Sequence, residues 1–357
     1  MSDRATRLAE RLPEIEADLI MVTSLVNVRY LTGYTGSNGL AVIGPDLRLF
    51  VTDFRYVEQS AVEVDAAFAR TIAVQELADA LPELLPPGSL RMAFEDAQLT
   101  VRAHARLRER LPDRVELVAA GDPVESLRAI KEPDEIHRIA EATRLADAAL
   151  RQIMEQGLRG RSEVQVAAAL LVAMRDLGAQ RPSFDPIVAA GPHGALPHAD
   201  PRDVEIGPDE LVVIDWGAEL DGYCSDCTRT LATGDLTESA REAYELVREA
   251  QRAGLEAVKA GVGGRDADAA ARAVIDAAGH AEHYGHGLGH GVGLEVHEAP
   301  RLSQRSDSVL AAGNIVTVEP GVYVPGRFGV RIEDLVVVTE QGVDILTSVP
   351  KDLITVG

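Results

Sequence analysis

The chain has 357 residues, enough for two domains, and 46% of them are hydrophobic, an ordinary share for a globular protein. Its formal net charge of −22 argues against nucleic acid and anionic membranes as partners, since both require basic patches. No apolar run approaches the length of a membrane span. Basic residues are nearly all arginine, with lysine only at Lys131, Lys259 and Lys351, a bias that genome base composition explains.

The opening stretch MSDRATRLAERLPEIEADLIMVTS is amphipathic and acidic and has no apolar core segment of an export signal, so the protein is expected in the cytoplasm. ADLIMVTS reads as a buried strand, LAVIGPDLRLFVTD as a hairpin, and LTVRAHARLRERLP as a helix capped near Thr100. Alternating strands and helices predict α/β layering over residues 1–124, with GDPVESLRAIKEP leading into a second domain over 125–357. Pro133 suits the first turn of a long helix with Ile136, Ile139, Ala140 and Leu145 at helical spacing. Ser162 and Gln165 form a capping-box pattern before VAAALLVAMRDLG. DPIVAAGPHGALPHAD then reads as a short strand and a loop carrying His193 and His198.

LVVIDWGAELDGYCSDCTRT reads as a hairpin bearing Asp215 and Asp226. A two-residue loop at Leu220-Asp221 sets the aspartates opposite each other, whereas an Asp221-Gly222 turn, the better turn chemistry, makes them diagonal neighbours. Both registers keep the two carboxylates on one face. Cys224 and Cys227 form C-x-x-C, but strand alternation points the thiols apart, which argues against a disulfide. Cys224 shares a face with Asp226 and is expected to line the site. Thr237 and Asp266 are expected to cap two further helices. GHGLGHGVGLEVHE follows, with His286, His290 and His297 among glycines too frequent for a helix and unlike a dinucleotide fingerprint. Those glycines let the backbone run close to a site.

VTVEPGVYVPGRFGVRIEDLVVV reads as a second hairpin, in which an odd-numbered loop around Pro325-Gly326-Arg327 sets Glu319 opposite Glu333, with Arg331 on the face of Glu333. Like charges across a strand pair cost stability, and placing them twice calls for a neutralising group. Asp215, Asp226, His290, Glu319 and Glu333 together suit a pair of divalent ions such as Mn²⁺, and a two-ion site suits hydrolysis. The order helix-helix-hairpin, then helix-helix-His segment-hairpin, is an internal two-fold plan.

HGLGHGVGLEVHE, DWGAELDGYCSDCTRT and EPGVYVPGRFGVRIED resemble segments of the proline-specific metallopeptidases of the methionine-aminopeptidase-like, or pita-bread, superfamily, peptidase family M24. These are the Xaa-Pro aminopeptidases and Xaa-Pro dipeptidases (prolidases). NVRYLTGYTGSNG and VTDFRY resemble the amino-terminal domain shared with creatinase, and SLRAIKEPDEIHRIAEA the start of the catalytic domain. The resemblance implies an α/β fold, with a creatinase-like amino-terminal α/β domain over 1–124 and a pita-bread catalytic domain with pseudo-two-fold halves over 125–357.

By residue, the resemblance implies one ion on Asp226, His290, Glu319 and Glu333 and another on Asp215, Asp226 and Glu333. It further implies that His198 and His297 bind the substrate and stabilise the tetrahedral intermediate, that His286 lines the proline pocket, and that Arg331 stands behind the ligands. His193 stands where relatives more often carry Asn, and Phe184 where some carry Tyr. The expected ions are Mn²⁺, with Co²⁺ or Zn²⁺ as alternatives. The expected activity is an Xaa-Pro aminopeptidase that acts on short proline-containing peptides through a water activated between the two ions, with Glu319 handling its proton. The alternatives are an Xaa-Pro dipeptidase restricted to dipeptides and a non-enzymatic binding module on the same fold. The large amino-terminal domain and Arg331 disfavour a methionine aminopeptidase, and the complete ligand set disfavours a metal-free creatinase-like hydrolase. A homodimer is expected, and Arg55 in TDFRY is considered for capture of the substrate carboxylate.

Overall fold

The alternating strand and helix signals of the first domain fold into one mixed sheet in the computed structural model, which describes residues 4–357. Residues 1–3, the start of the stretch read above as lacking an export signal, lie outside the described residues. The sheet comprises β1 (Leu19–Val22), β2 (Leu40–Ile43), β3 (Arg48–Asp53), β4 (Ala69–Ala73), β5 (Leu90–Phe94) and β6 (Val115–Ala119), in the order β4-β3-β2-β1-β5-β6. β2 and β3 form the expected antiparallel hairpin, with Ile43 paired to Arg48. Every residue of β1 and β2 is buried. Since successive side chains point to opposite faces, both faces of the sheet are covered there. The helix Val101–Arg110 starts at Thr100, whose side chain accepts a hydrogen bond from the Ala103 N–H at 3.1 Å.

The chain divides into two compact units, Met1–Arg128 and Ala129–Gly357. In the second, the helix Pro133–Gln156 has proline in its first turn and a reciprocal cap between Glu132 and Glu135. It buries Ile139, Ala142, Leu145, Ala146, Ala149, Leu150 and Ile153, the stripe that helical periodicity requires. The helix Glu163–Asp176 begins with the Ser162/Gln165 capping box. Both pack into a core with the antiparallel sheet formed by Ile187–Ala190, Leu211–Trp216 and Cys227–Ala232.

The other half repeats the plan. The helices Glu238–Ala257 and Gly264–Ala277 share a second core with Val316, Val318 and Val336 of a five-stranded sheet. Thr237 caps the first of these helices. Asp266 does not cap the second: its cap is Gly263, which bridges to Val309, so the helix starts upstream and Asp266 falls within its first turn.

Trp216 is fully buried between the strand that carries Asp215 and the helix Pro133–Gln156, and its indole N–H donates to the Ala146 carbonyl at 2.8 Å. Trp216→Ala leaves a large cavity and an unpaired carbonyl, so we expect it to destabilise the catalytic unit by about 3–5 kcal/mol in urea denaturation. A loss below about 1 kcal/mol would refute this account of the core.

Candidate metal centre

The first hairpin turns at Asp221 and Gly222, both with positive φ (49° and 78°), a two-residue primed turn that needs glycine at its second position. Leu220 pairs with Tyr223, and Asp215 with Thr228. Asp226 is therefore diagonal to Asp215, the second of the two registers open from the sequence. In the other hairpin a three-residue loop joins Val324 to Phe328, and Gly321–Arg331 and Val318–Asp334 share one register. That register sets Glu319 against Glu333, where the ladder breaks because Pro320 has no N–H. The freed backbones bond elsewhere: Glu319 N–H to the Leu288 carbonyl at 2.8 Å, and Glu333 N–H to the Thr228 carbonyl at 3.1 Å. The second contact joins the two hairpins directly.

His290 lies on the short strand Gly289–Gly291, pressed against the strand Ile315–Val318. A Cβ at Gly289 would lie 2.0 Å from the Thr317 carbonyl oxygen, so only glycine allows this approach. His290 Nδ1 donates to the Gly291 carbonyl at 3.1 Å, which leaves Nε2 facing the carboxylates, 3.3 Å from Glu319 and 3.6 Å from Asp226. Oxygens of Asp215, Asp226 and Glu333 lie within 4.8 Å of one another. All five residues singled out from the sequence thus meet at one place.

Each flanking group satisfies one carboxylate oxygen and leaves the other bare. Arg331 Nη2 donates to Asp215 Oδ2 at 2.6 Å, and the Thr228 hydroxyl donates to Glu333 Oε2 at 2.8 Å. Asp215 Oδ1 and Glu333 Oε1 are buried with no hydrogen-bond partner. Thr317 donates to Glu319 Oε1 at 3.0 Å. Buried carboxylate oxygens without partners, joined by one imidazole nitrogen, fit hard divalent cations.

Burial raises the Asp226 and Glu333 carboxyls well above their ordinary range, and their mutual repulsion and that of Asp215 and Glu319 add to it. Burial also raises Asp215, against the pull of Arg331. For Glu319, burial is outweighed by its hydrogen bond to His290 and the nearby His286 and Arg331, which bring it down to about 2. Desolvation lowers His286, and it lowers His297 to about 4, with His290 and Arg301 contributing. Both imidazoles are therefore neutral near pH 7.

These ligands open into a cavity of about 670 Å³ that His198, His286, His297, Arg301 and Phe184 also line. His198 is exposed on a loop whose two ends converge on the fully buried Glu163. That carboxylate accepts from Ala190 N–H, His193 Nδ1 and both the backbone and guanidinium of Arg202. His193 is thus buried as a loop anchor and does not line this cavity. His286 Nδ1 donates to the Gly287 carbonyl, and its Nε2 accepts from the Tyr323 hydroxyl, which itself accepts from Arg331. The His297 ring meets that of His290 edge-on, with centroids 4.3 Å apart.

One expectation changes. Cys224 does not line the cavity; it is buried in a cluster with Ile139, Tyr223 and Val292, and the strand is interrupted at Ser225 and Asp226, so alternation does not carry from one residue to the other. Arg55 is held by Asp53 through two guanidinium hydrogen bonds, at 2.9 and 2.8 Å. Besides Arg331, the cavity is lined by Arg301, which the sequence reading missed. It follows His297 by four residues at the even spacing of a strand, so the period-two pattern could have found it. The supporting Thr228 and Thr317 were also missed, each two residues from a carboxylate.

Comparison with known proteins gives concordant matches. Residues 4–130 match the creatinase/prolidase amino-terminal domain, and residues 137–340 match metallopeptidase family M24. The chain is 36% identical to an Xaa-Pro dipeptidase of Pyrococcus furiosus over 99% of its own length and 100% of the relative's. It superposes on the structure of an Xaa-Pro dipeptidase from Bacillus anthracis with a TM-score of 0.95, at 39% identity and 99% coverage of both chains. It superposes on an X-Pro aminopeptidase from Thermotoga maritima with a TM-score of 0.90, at 35% identity, covering 98% of this chain and 99% of the other. With a creatinase-like domain preceding a two-halved pita-bread unit, the chain belongs to metallopeptidase family M24.

Proposed function

We propose that this chain is an Xaa-Pro dipeptidase whose metal ligands are Asp215, Asp226, His290, Glu319 and Glu333. The full-length likeness to proteins named as dipeptidases supports this reading over the aminopeptidase expected from the sequence. The observation that carries it is Arg301, exposed within the same cavity as the carboxylate cage. No described residue forms an ion pair with its guanidinium. A dipeptide ends in a carboxylate directly after proline, and a free guanidinium in the cavity suits that group. The likeness to the Thermotoga maritima X-Pro aminopeptidase keeps longer peptides as the second reading.

Divalent ions in the cage, Mn²⁺ by the hardness of its donors, supply Lewis acidity and a water of lowered pKa. The chain's own groups do the rest. Glu319, kept ionised, accepts the proton of the attacking water and passes it to the departing proline nitrogen, which has no hydrogen of its own. His198 and His297 have ring nitrogens that no described residue engages, and they donate to the developing oxyanion. Neutral His297 does so without adding charge to the cavity. His286, with both nitrogens engaged, offers its ring as a wall for the proline.

Three measurements test this. Arg301→Leu should raise KM for an Xaa-Pro dipeptide by about 10- to 150-fold, the range for losing a charged hydrogen bond, and change an Xaa-Pro-Yaa tripeptide by less than about threefold. Equal losses for both substrates would favour the aminopeptidase. Glu319→Ala should lower kcat/KM by about 10²- to 10⁴-fold with circular dichroism unchanged; retained turnover would mean its role is misassigned.

The third concerns pH. Raised carboxyls mean that the folded, metal-free chain binds more protons than the unfolded one. Their contribution to stability is full below the ordinary carboxyl range, near pH 4, and is lost as pH rises through the raised values. Cations replace those protons, so the rise in Tm on adding Mn²⁺ should be larger at about pH 8 than at about pH 5.5. A rise that is equal or larger at the lower pH would contradict the proposed ligand set.

A further inference from the structure

Once the ends of a dipeptide are assigned, one part of the substrate remains without a partner, the side chain of its first residue. The ions take the α-amino group, Arg301 the carboxylate and His286 the proline ring. Much of the cavity wall left over comes from two segments, 184–187 and 197–201, beside Val296 and Ser303. Phe184, Ile187 and Pro197 give these segments an apolar surface. Each segment also carries one acid, Asp185 and Asp200, and both are exposed at the cavity. The neighbouring Arg202 is committed to Glu163, and no described residue donates a hydrogen bond to Asp185 or Asp200 or pairs with either.

We propose that Asp185 and Asp200 select dipeptides whose first residue is cationic, Lys-Pro and Arg-Pro. This deepens the dipeptidase reading and rests on it. A lysine or arginine lays its methylene stem along the apolar wall and brings its charged head to this acidic side of the cavity. An anionic first residue meets those acids and the net charge of −22 of the whole chain, so it is disfavoured twice. A neutral side chain of the same length gains the stem contact alone. The preference is electrostatic and operates in a solvated cavity, so it weakens with salt.

The test compares kcat/KM for Lys-Pro, Met-Pro and Glu-Pro with the Mn²⁺-loaded full chain at low ionic strength. Lys-Pro should exceed Met-Pro by roughly 3- to 20-fold, the range for two partly solvated ion pairs, and Glu-Pro should be the poorest of the three. The Lys-Pro to Met-Pro ratio should fall toward one in about 0.5 M salt, and also in the double variant Asp185→Asn/Asp200→Asn. If Met-Pro is cleaved but Lys-Pro is no better, or if the double variant keeps the preference, this assignment is overturned while the dipeptidase reading stands. If no dipeptide is cleaved, the dipeptidase reading fails and takes this assignment with it.

Discussion

Four carboxylates, two of them buried and two half-buried, and one buried imidazole gathered at a single point are the constraint around which the catalytic unit is arranged. Arg331 is the one permanent cation in direct contact with them among the described residues, and it neutralises only Asp215. Burial and mutual repulsion raise Asp226 and Glu333 well above the ordinary carboxyl range. A cluster of this kind is costly to fold unless something positive shares it. The bare oxygens of Asp215 and Glu333 mark the side from which that charge comes.

The surrounding structure holds the cluster rigid. The ladder of the second hairpin breaks at Pro320, which frees the Glu319 and Glu333 backbones to bond to the His segment and the first hairpin. Thr228 and Thr317 each orient a carboxylate with a hydroxyl, and Thr228 also accepts from Arg331. Behind them, buried Arg229 bonds to the Glu333 carbonyl and pairs with Asp334 at 2.8 Å. Two separate apolar cores back the two halves, so the cage lies between elements that are each well anchored. Groups fixed in this way need no reorganisation when charge develops, which is how such sites gain catalytic power.

The same cavity carries charge of both signs, and that pattern bears on substrate choice. Arg301 provides a site for an anion, Asp185 and Asp200 provide one for a cation, and His286 presents a ring whose nitrogens are already engaged. The loop bearing His198 is secured at both ends by Glu163, a residue outside the cavity. On the dipeptidase reading, recognition therefore depends on residues outside the proposed set of metal ligands.

How much was legible beforehand differs from residue to residue, for physical reasons. Strand parity is a local property, so the shared face of Asp215 and Asp226, the three-residue loop at Pro325–Arg327 and the facing of Glu319 with Glu333 could all be read from spacing. The Ser162 capping box and the Thr100 and Thr237 caps are equally local. Which turn the first hairpin adopts was open, because both registers keep the parity; the folded backbone settled it with positive φ at Asp221 and Gly222. Long-range contacts were beyond local pattern. Glu163 meets His193 and Arg202 across 30 and 39 residues, and Cys224 packs in a cluster with Ile139 and Val292. Periodicity along one segment decides which way a side chain faces, but what it faces depends on the packing of other segments, and only the tertiary structure supplies that.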